Sequence, residues 1–235
     1  MKDFKIKLLE RKLICENTYQ LTFDTSGIDY DFFPGQYANF KLMYNADEDM
    51  KGNVRPFSFA GSPSNNELMI AVRKNESVFI ENLLRLEVGS EVIISEPMGN
   101  NILDDKNEKV FIAGGIGITP VRCILEYLSE NNLNEKITLF YFNRDCSQTA
   151  FLDEFKKWDE EMDSFNFIPV VEDEKDVHWK GETGLFNEYL LRKYLKNIED
   201  KNFYLFGSDQ MDKYVKQILF KSDVKNENII TEKSV

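Results

Sequence analysis

Histidine is almost absent from this sequence, with His178 the only one. A zinc site built on several imidazoles is thereby excluded. A Ser–His–Asp triad would have to use that residue, and no GxSxG elbow accompanies it. Cysteine is scarce too. Cys15, Cys123 and Cys146 are odd in number and widely spaced, which suits a reducing compartment and gives no CxxC pattern for a metal or iron–sulfur cluster. Positive charge is in deficit, with 29 Lys and Arg against 41 Asp and Glu for a net charge of −12. A nucleic-acid footprint needs the opposite balance. No apolar run approaches the roughly 18 residues of a membrane span. The opening "MKDFKIKLLERKLICE" alternates charged and apolar residues and lacks the apolar core of a signal peptide. The expected setting is the cytoplasm.

What the chain has in quantity is core material: 42% hydrophobic residues, including 19 Phe and 10 Tyr among 235 residues, enough for two ordinary domains. Two grammars follow one another. Up to about residue 100, short alternating runs at 4–10, 18–23, 37–42, 55–60, 67–73 and 91–95 are parted by turns such as "FFPGQ" and "GSPSNN". One helical stretch, "SVFIENLLRLEVG", interrupts them. Strands so spaced predict an antiparallel barrel. From 109 onward strands and helices alternate: strands at 109–113, 136–142, 165–171, 202–206 and 228–231, helices at 120–130, 149–161, 185–195 and 209–221. That order predicts a doubly wound parallel sheet with helices on both faces. The polar stretch "DDKNEK" marks the joint, giving a β domain over 1–103 and an α/β domain over 104–235.

Ligands of such sheets bind at the carboxyl ends of the strands, where loops meet helix N-termini. "GGIGITP" (114–120) stands there. Its glycines admit close backbone approach, Thr119 is placed as an N-cap and Pro120 as the first helical residue, and the free amides favour a phosphate. Alone, this turn reads equally well as a capped strand-to-helix connection. "RPFSFAGSP" (55–63) joins a cation, an aromatic and a hydroxyl. Arg55 suits a phosphate, Phe57 offers a flat face and Ser58 a small donor.

The order "PGQY", "RPFS", "GGIGITP", "YFNR", "WKGETG" and "YLFGSDQM" resembles the ferredoxin–NADP reductase superfamily over about residues 5–232. The resemblance implies a Greek-key β-barrel holding FAD (rather than FMN) and a second domain holding a pyridine nucleotide. Hydride would pass from the nicotinamide to flavin N5 where the two domains meet. On the flavin side it implies roles for Arg55, Pro56, Phe57 and Ser58, the last reaching N5 as the one catalytic side chain, and for Arg73. Ser77, Val78 and Phe79 would offer backbone amides to the flavin diphosphate. On the nucleotide side it implies Gly114, Gly115, Gly117, Ile118, Thr119 and Pro120 at the diphosphate, and Gly207, Ser208 and Met211 beside the nicotinamide. Glu232 matches a terminal acidic position. There are departures. Phe57 lacks the family's phenolic hydroxyl, Phe206 and Ser208 replace a Cys and a Pro, and "ESVF" replaces Gly-x-x-Ser/Thr, so that Ser77 reads equally as a plain N-cap. Ser234 stands where a terminal aromatic is common.

Glu172, at the start of "EDEKD", stands where NADP-preferring relatives carry residues for the 2′-phosphate. A carboxylate repels that phosphate and accepts from a ribose hydroxyl, so NADH is expected over NADPH, with Arg144 as the residue that would favour NADPH. Trp179 reads as a packing anchor and Cys123 as a small buried hydrophobe. Three destinations for the electrons stay open: a separate acceptor protein, free flavin used as a substrate, or none, the chain being a silent nucleotide-binding subunit of a redox complex.

Overall fold

The computed structural model describes residues 2–43, 52–63, 66–104, 107–172 and 179–231. The chain divides into two compact units, Met1–Asp104 with Thr119–Asn131, and Asp105–Ile118 with Asn132–Val235.

The first unit is built on β1 (Asp3–Cys15), β2 (Thr18–Asp24), β3 (Tyr37–Lys41), β4 (Val54–Ser58), β5 (Glu67–Arg73) and β6 (Glu91–Ser95), with α1 (Val78–Arg85) between the last two. All pairings are antiparallel, in the order β4-β3-β6-β1-β2-β5. The expected barrel is therefore barrel-like but not closed, since β4 and β5 are left as the two edges. β1 runs beyond the expected 4–10 because it forms a hairpin with β2, in which Cys15 faces Thr18 across Glu16 and Asn17. Asn17 takes the turn's left-handed conformation at φ 54°. Alternation puts Ile6, Leu8, Leu21, Phe23, Phe40, Ile70 and Val92 inside, where Phe79 and Leu83 of α1 join them.

A helix that the sequence reading gave to the second domain, α2 (Thr119–Glu130), groups with this first unit. The reason is packing. Cys123 enters the same core, and Ile124 reaches van der Waals distance of the Gly35 turn, where a methyl group would be crowded by Ile102. Burial pushes the Cys123 thiol up to about 12, which makes it the inert hydrophobe that was expected.

The second unit carries β7 (Lys109–Gly114), β8 (Ile137–Asn143), β9 (Phe165–Val171), β10 (Glu182–Thr183), β11 (Asn202–Phe206) and β12 (Ile229–Thr231), all parallel in the order β10-β9-β8-β7-β11-β12. α3 (Leu152–Glu161), α4 (Glu188–Tyr194) and α5 (Asp209–Lys221) connect them. Phe140, Phe142, Ile168 and Val170 pack with Leu190 and Leu191 of α4 and Val215 and Leu219 of α5. On the opposite face, Tyr141 and Phe167 meet Phe155 of α3. This is the doubly wound sheet the alternation predicts. The short β10 was not foreseen. Trp179, whose indole N–H donates to the Glu182 carbonyl at 3.0 Å, anchors it, and Glu182 accepts from Lys193 at 2.7 Å and from Tyr194. Those partners hold the Glu182 carboxyl below its ordinary value, Lys193 foremost.

Candidate functional site

In the first unit the expected flavin residues fall on two adjacent pieces of chain. Arg55, Pro56, Phe57 and Ser58 form β4, paired to β3 so that Ser58 faces Tyr37. Ser77, Val78 and Phe79 begin α1. Side chains bring the two together. The Arg55 guanidinium lies 5.3 Å from the centre of the Phe79 ring, and the Phe57 ring lies 5.8 Å from Phe79 and 5.4 Å from Phe40. Arg55 also donates to the carbonyls of Gly52 and Val54 at 2.9 and 2.7 Å, which steadies it at the end of its strand. Ser77 stands at the N-cap of α1 with no hydrogen bond from its side chain to the helix, while its own N–H donates to Asn75 Oδ1 at 2.9 Å. The Ser77 side chain thus does not close the start of α1, and a guanidinium lies nearby. That combination fits an anionic phosphate. Arg73, at the end of β5, donates from Nε to Thr18 Oγ1 at 3.4 Å.

Sequence reasoning missed a buried ion pair behind this region. Arg122 of α2, 5% exposed, donates to the Ala60 carbonyl at 2.6 Å and to both Glu126 carboxylate oxygens at 2.9 Å. Glu126 in turn accepts from the Ser62 N–H at 2.7 Å. The segment just after "RPFS" is therefore pinned to α2 by charge-assisted bonds. The signal was available in an Arg and a Glu four residues apart on a helix that is otherwise apolar there.

In the second unit, β7 ends at Gly114 and passes into a 3-10 turn, Gly115–Ile118, that runs directly into α2. This corrects the expected capping. Thr119 is the first residue of α2 and not a cap outside it, because helical hydrogen bonding has begun a turn earlier. The first amides of that run therefore belong to the glycine turn, and Gly114 before them has no side chain with which to cap them. Gly115 holds φ +55°, and Gly117 packs so tightly on the Phe206 carbonyl that any Cβ there would overlap it. The Tyr141 hydroxyl, from β8, donates to the Gly115 carbonyl at 3.1 Å and fixes the turn.

Met211 lies on the same strand ends. Its sulfur packs against Gly114 and Gly207, 2.6 Å from where a Cβ on Gly207 would stand. Ser208 caps α5, its Oγ accepting from the Met211 N–H at 3.3 Å. That is a structural use for the residue that departs from the family's proline. Arg144 is exposed just past β8 and Glu172 is exposed just past β9, its N–H donating to the Asn143 carbonyl at 3.0 Å. Glu232, and 173–178 with the rest of the acidic loop, lie outside the described residues. Among the described residues no helix is long and apolar enough to cross a membrane.

Comparison with known proteins gives a domain match and likenesses of fold. Residues 111–217 match the family described as the oxidoreductase NAD-binding domain. The chain is 28% identical over 229 residues to a subunit of the Na(+)-translocating NADH-quinone reductase of Serratia proteamaculans (strain 568), a match that covers 89% of this chain and 56% of that protein. It thus spans about half the length of the curated relatives it matches. Two solved structures share its fold from end to end. The cytochrome b5 reductase domain of Ulva prolifera nitrate reductase superposes with a TM-score of 0.83 at 20% identity, covering 98% of this chain and 97% of that one. A ferredoxin NADP+ reductase from Neisseria gonorrhoeae, solved with bound FAD and NADP, gives 0.82 at 18% identity, covering 99% and 98%. Residues 111–217 thus carry the oxidoreductase NAD-binding domain, and the chain as a whole has the two-part fold of ferredoxin NADP+ reductase and cytochrome b5 reductase structures.

Proposed function

We propose that this chain is a flavin-dependent oxidoreductase that takes hydride from NADH onto FAD N5 and passes the electrons to a separate acceptor protein. The observation that carries the reading is the start of α1, free of a side-chain cap and close to Arg55, in a chain whose other unit is an NAD-binding domain. A bound flavin supplies the chemistry, accepting two electrons together and releasing them singly. The residues of this chain bind and orient. Arg55 and the amides of Val78 and Phe79 hold a diphosphate, a group FAD has and FMN lacks. Phe57 supplies apolar surface to the ring and ribityl region, and Ser58 donates toward N5. The amides of Gly115 and Gly117 hold the diphosphate of the nucleotide, and Met211 beside Gly207 borders the nicotinamide.

NADH is favoured by the exposed Glu172 carboxylate after β9, which would repel a 2′-phosphate, and by the name of the quinone-reductase relatives. Arg144 opposes it. Steady-state assays with both nucleotides decide the matter. NADPH better by tenfold, or ~1.4 kcal/mol, overturns this part. Purified protein carrying stoichiometric FAD supports the whole reading. A colourless protein that oxidises NADH only with added FMN or riboflavin makes flavin a substrate instead. No flavin binding at all overturns it.

A second reading rests on those relatives being named as subunits and being nearly twice as long as this chain's match. On it, the chain hands its electrons on inside a larger redox assembly, and the acceptor would co-purify with it under native conditions.

A further inference from the structure

Asn143 ends β8, at the carboxyl edge of the parallel sheet. It is 5% exposed, yet among the described residues neither its Nδ2 nor its Oδ1 has a hydrogen-bond partner. Buried side-chain amides are rarely left with both ends unpaired, since each unmade bond carries the full cost of desolvation. Its backbone is firmly held: it sits opposite Val171 in the β8–β9 ladder, and its carbonyl accepts from the Glu172 N–H at 3.0 Å. The side chain is therefore kept in place without a bond of its own. The pleat puts it on the same face as Tyr141, two residues earlier, whose hydroxyl reaches the Gly115 carbonyl. Asn143 accordingly stands one step beyond that contact toward the edge where the glycine turn offers its amides.

We propose that Asn143 is a nucleotide-binding residue, its carboxamide paired with the vicinal diol of a ribose. The chemistry selects the partner. A phosphate only accepts and would satisfy Nδ2 alone, whereas two neighbouring hydroxyls accept from Nδ2 and donate to Oδ1 together. The pairing holds whichever way round the amide is oriented. It adds a contact to the sugar where the glycine turn contributes only amides, and it rests on the reading of the second unit as the NADH site.

The test is calorimetric binding of NADH, AMP, NMN and the 2′,3′-dideoxy form of AMP to the full chain and to Asn143→Leu and Asn143→Asp. Asn143→Leu removes an unpaired amide at similar volume, so its Tm should not fall, while its NADH Kd should rise about tenfold or more. Asn143→Asp, which keeps an acceptor and loses the donor, should lie between. A matching loss for AMP assigns the adenosine ribose, and for NMN the nicotinamide ribose. If the loss is in AMP, the parent chain should bind AMP more tightly than its dideoxy form and Asn143→Leu should not distinguish them. An NADH Kd unchanged in both variants overturns the proposal and leaves the amide to a buried water. If the parent chain itself binds no NADH, the reading of the site fails first and this inference with it.

Discussion

α5 and α1 both begin on a serine, and the two serines do different things. Ser208 closes α5 by accepting from the Met211 N–H, as Asn187 closes α4 by accepting from Leu190 at 2.8 Å. Ser77 makes no such bond, and the Arg55 guanidinium lies over the second residue of α1. The 115–118 turn resembles α1 in this respect, since Gly114 and Gly115 have no side chain to offer. A helix start closed by its own side chain contributes stability. One left open near a cation, or lined with glycine, retains the donors and the dipole for an anion. In this chain the open starts lie on the two segments for which flavin and nucleotide contacts are proposed.

The comparison can be broken most severely at the glycine turn. Gly117→Ala sets a methyl group against the Phe206 carbonyl, so the backbone must shift. NADH binding or turnover should fall about a hundredfold with a loss of ~1–3 kcal/mol in stability. Unchanged NADH titration and melting would show that the tight approach is unimportant. Arg55→Ala removes the cation beside the open α1 start, and flavin affinity should drop by ~1.5–3 kcal/mol, about ten- to a hundredfold. Equal flavin retention by equilibrium dialysis would contradict its role.

The two serines sharpen the comparison further. Ser208→Ala should cost ~1 kcal/mol, a Tm fall of about 2–4 °C. Ser77→Ala should cost only a few tenths of a kcal/mol, because no cap bond is lost. Equal losses would make Ser77 a plain cap.

The smallest effect lies on the closed start of α5. Asp212 is 9% exposed, with Oδ1 unpartnered among the described residues, and burial raises its carboxyl above the usual range, with Lys216 opposing and Asp209 adding. The folded chain then holds this proton more tightly than the unfolded one. Its contribution is most favourable below the unfolded value and is lost as pH rises through the folded one. Asp212→Asn should therefore melt slightly higher than the parent at neutral pH, by less than the Ser208 effect, and the difference should vanish in acid. A lower Tm at neutral pH would reverse the sign of that account.

The sheets were legible because their periodicities differ: Leu21 and Phe23 alternate on β2, while Phe140 to Phe142 form an unbroken buried run typical of a parallel strand. What could not be read was set by tertiary contact. The two-residue β10 is too short to have a period and depends on Trp179, Lys193 and Tyr194 from elsewhere in the chain. The grouping of α2 with the first unit depends on Cys123 and Arg122 meeting residues about 60 to 100 positions away. At the site, "GGIGITP" located the turn, but a 3-10 turn at Gly115–Ile118 precedes α2, which only hydrogen bonding reveals. Tyr141 and Asn143 stood inside "YFNR", but only Arg144 was given a role, because a Tyr or an Asn at a strand end carries no signal of its own.

The central claim is that NADH reduces a flavin held by this chain. Under anaerobic conditions, one equivalent of NADH added to the FAD-loaded protein should abolish the visible absorption of the oxidised flavin, and Arg55→Ala should retain less flavin to bleach. A bound flavin that stays oxidised in excess NADH, with NADPH equally without effect, would contradict the account.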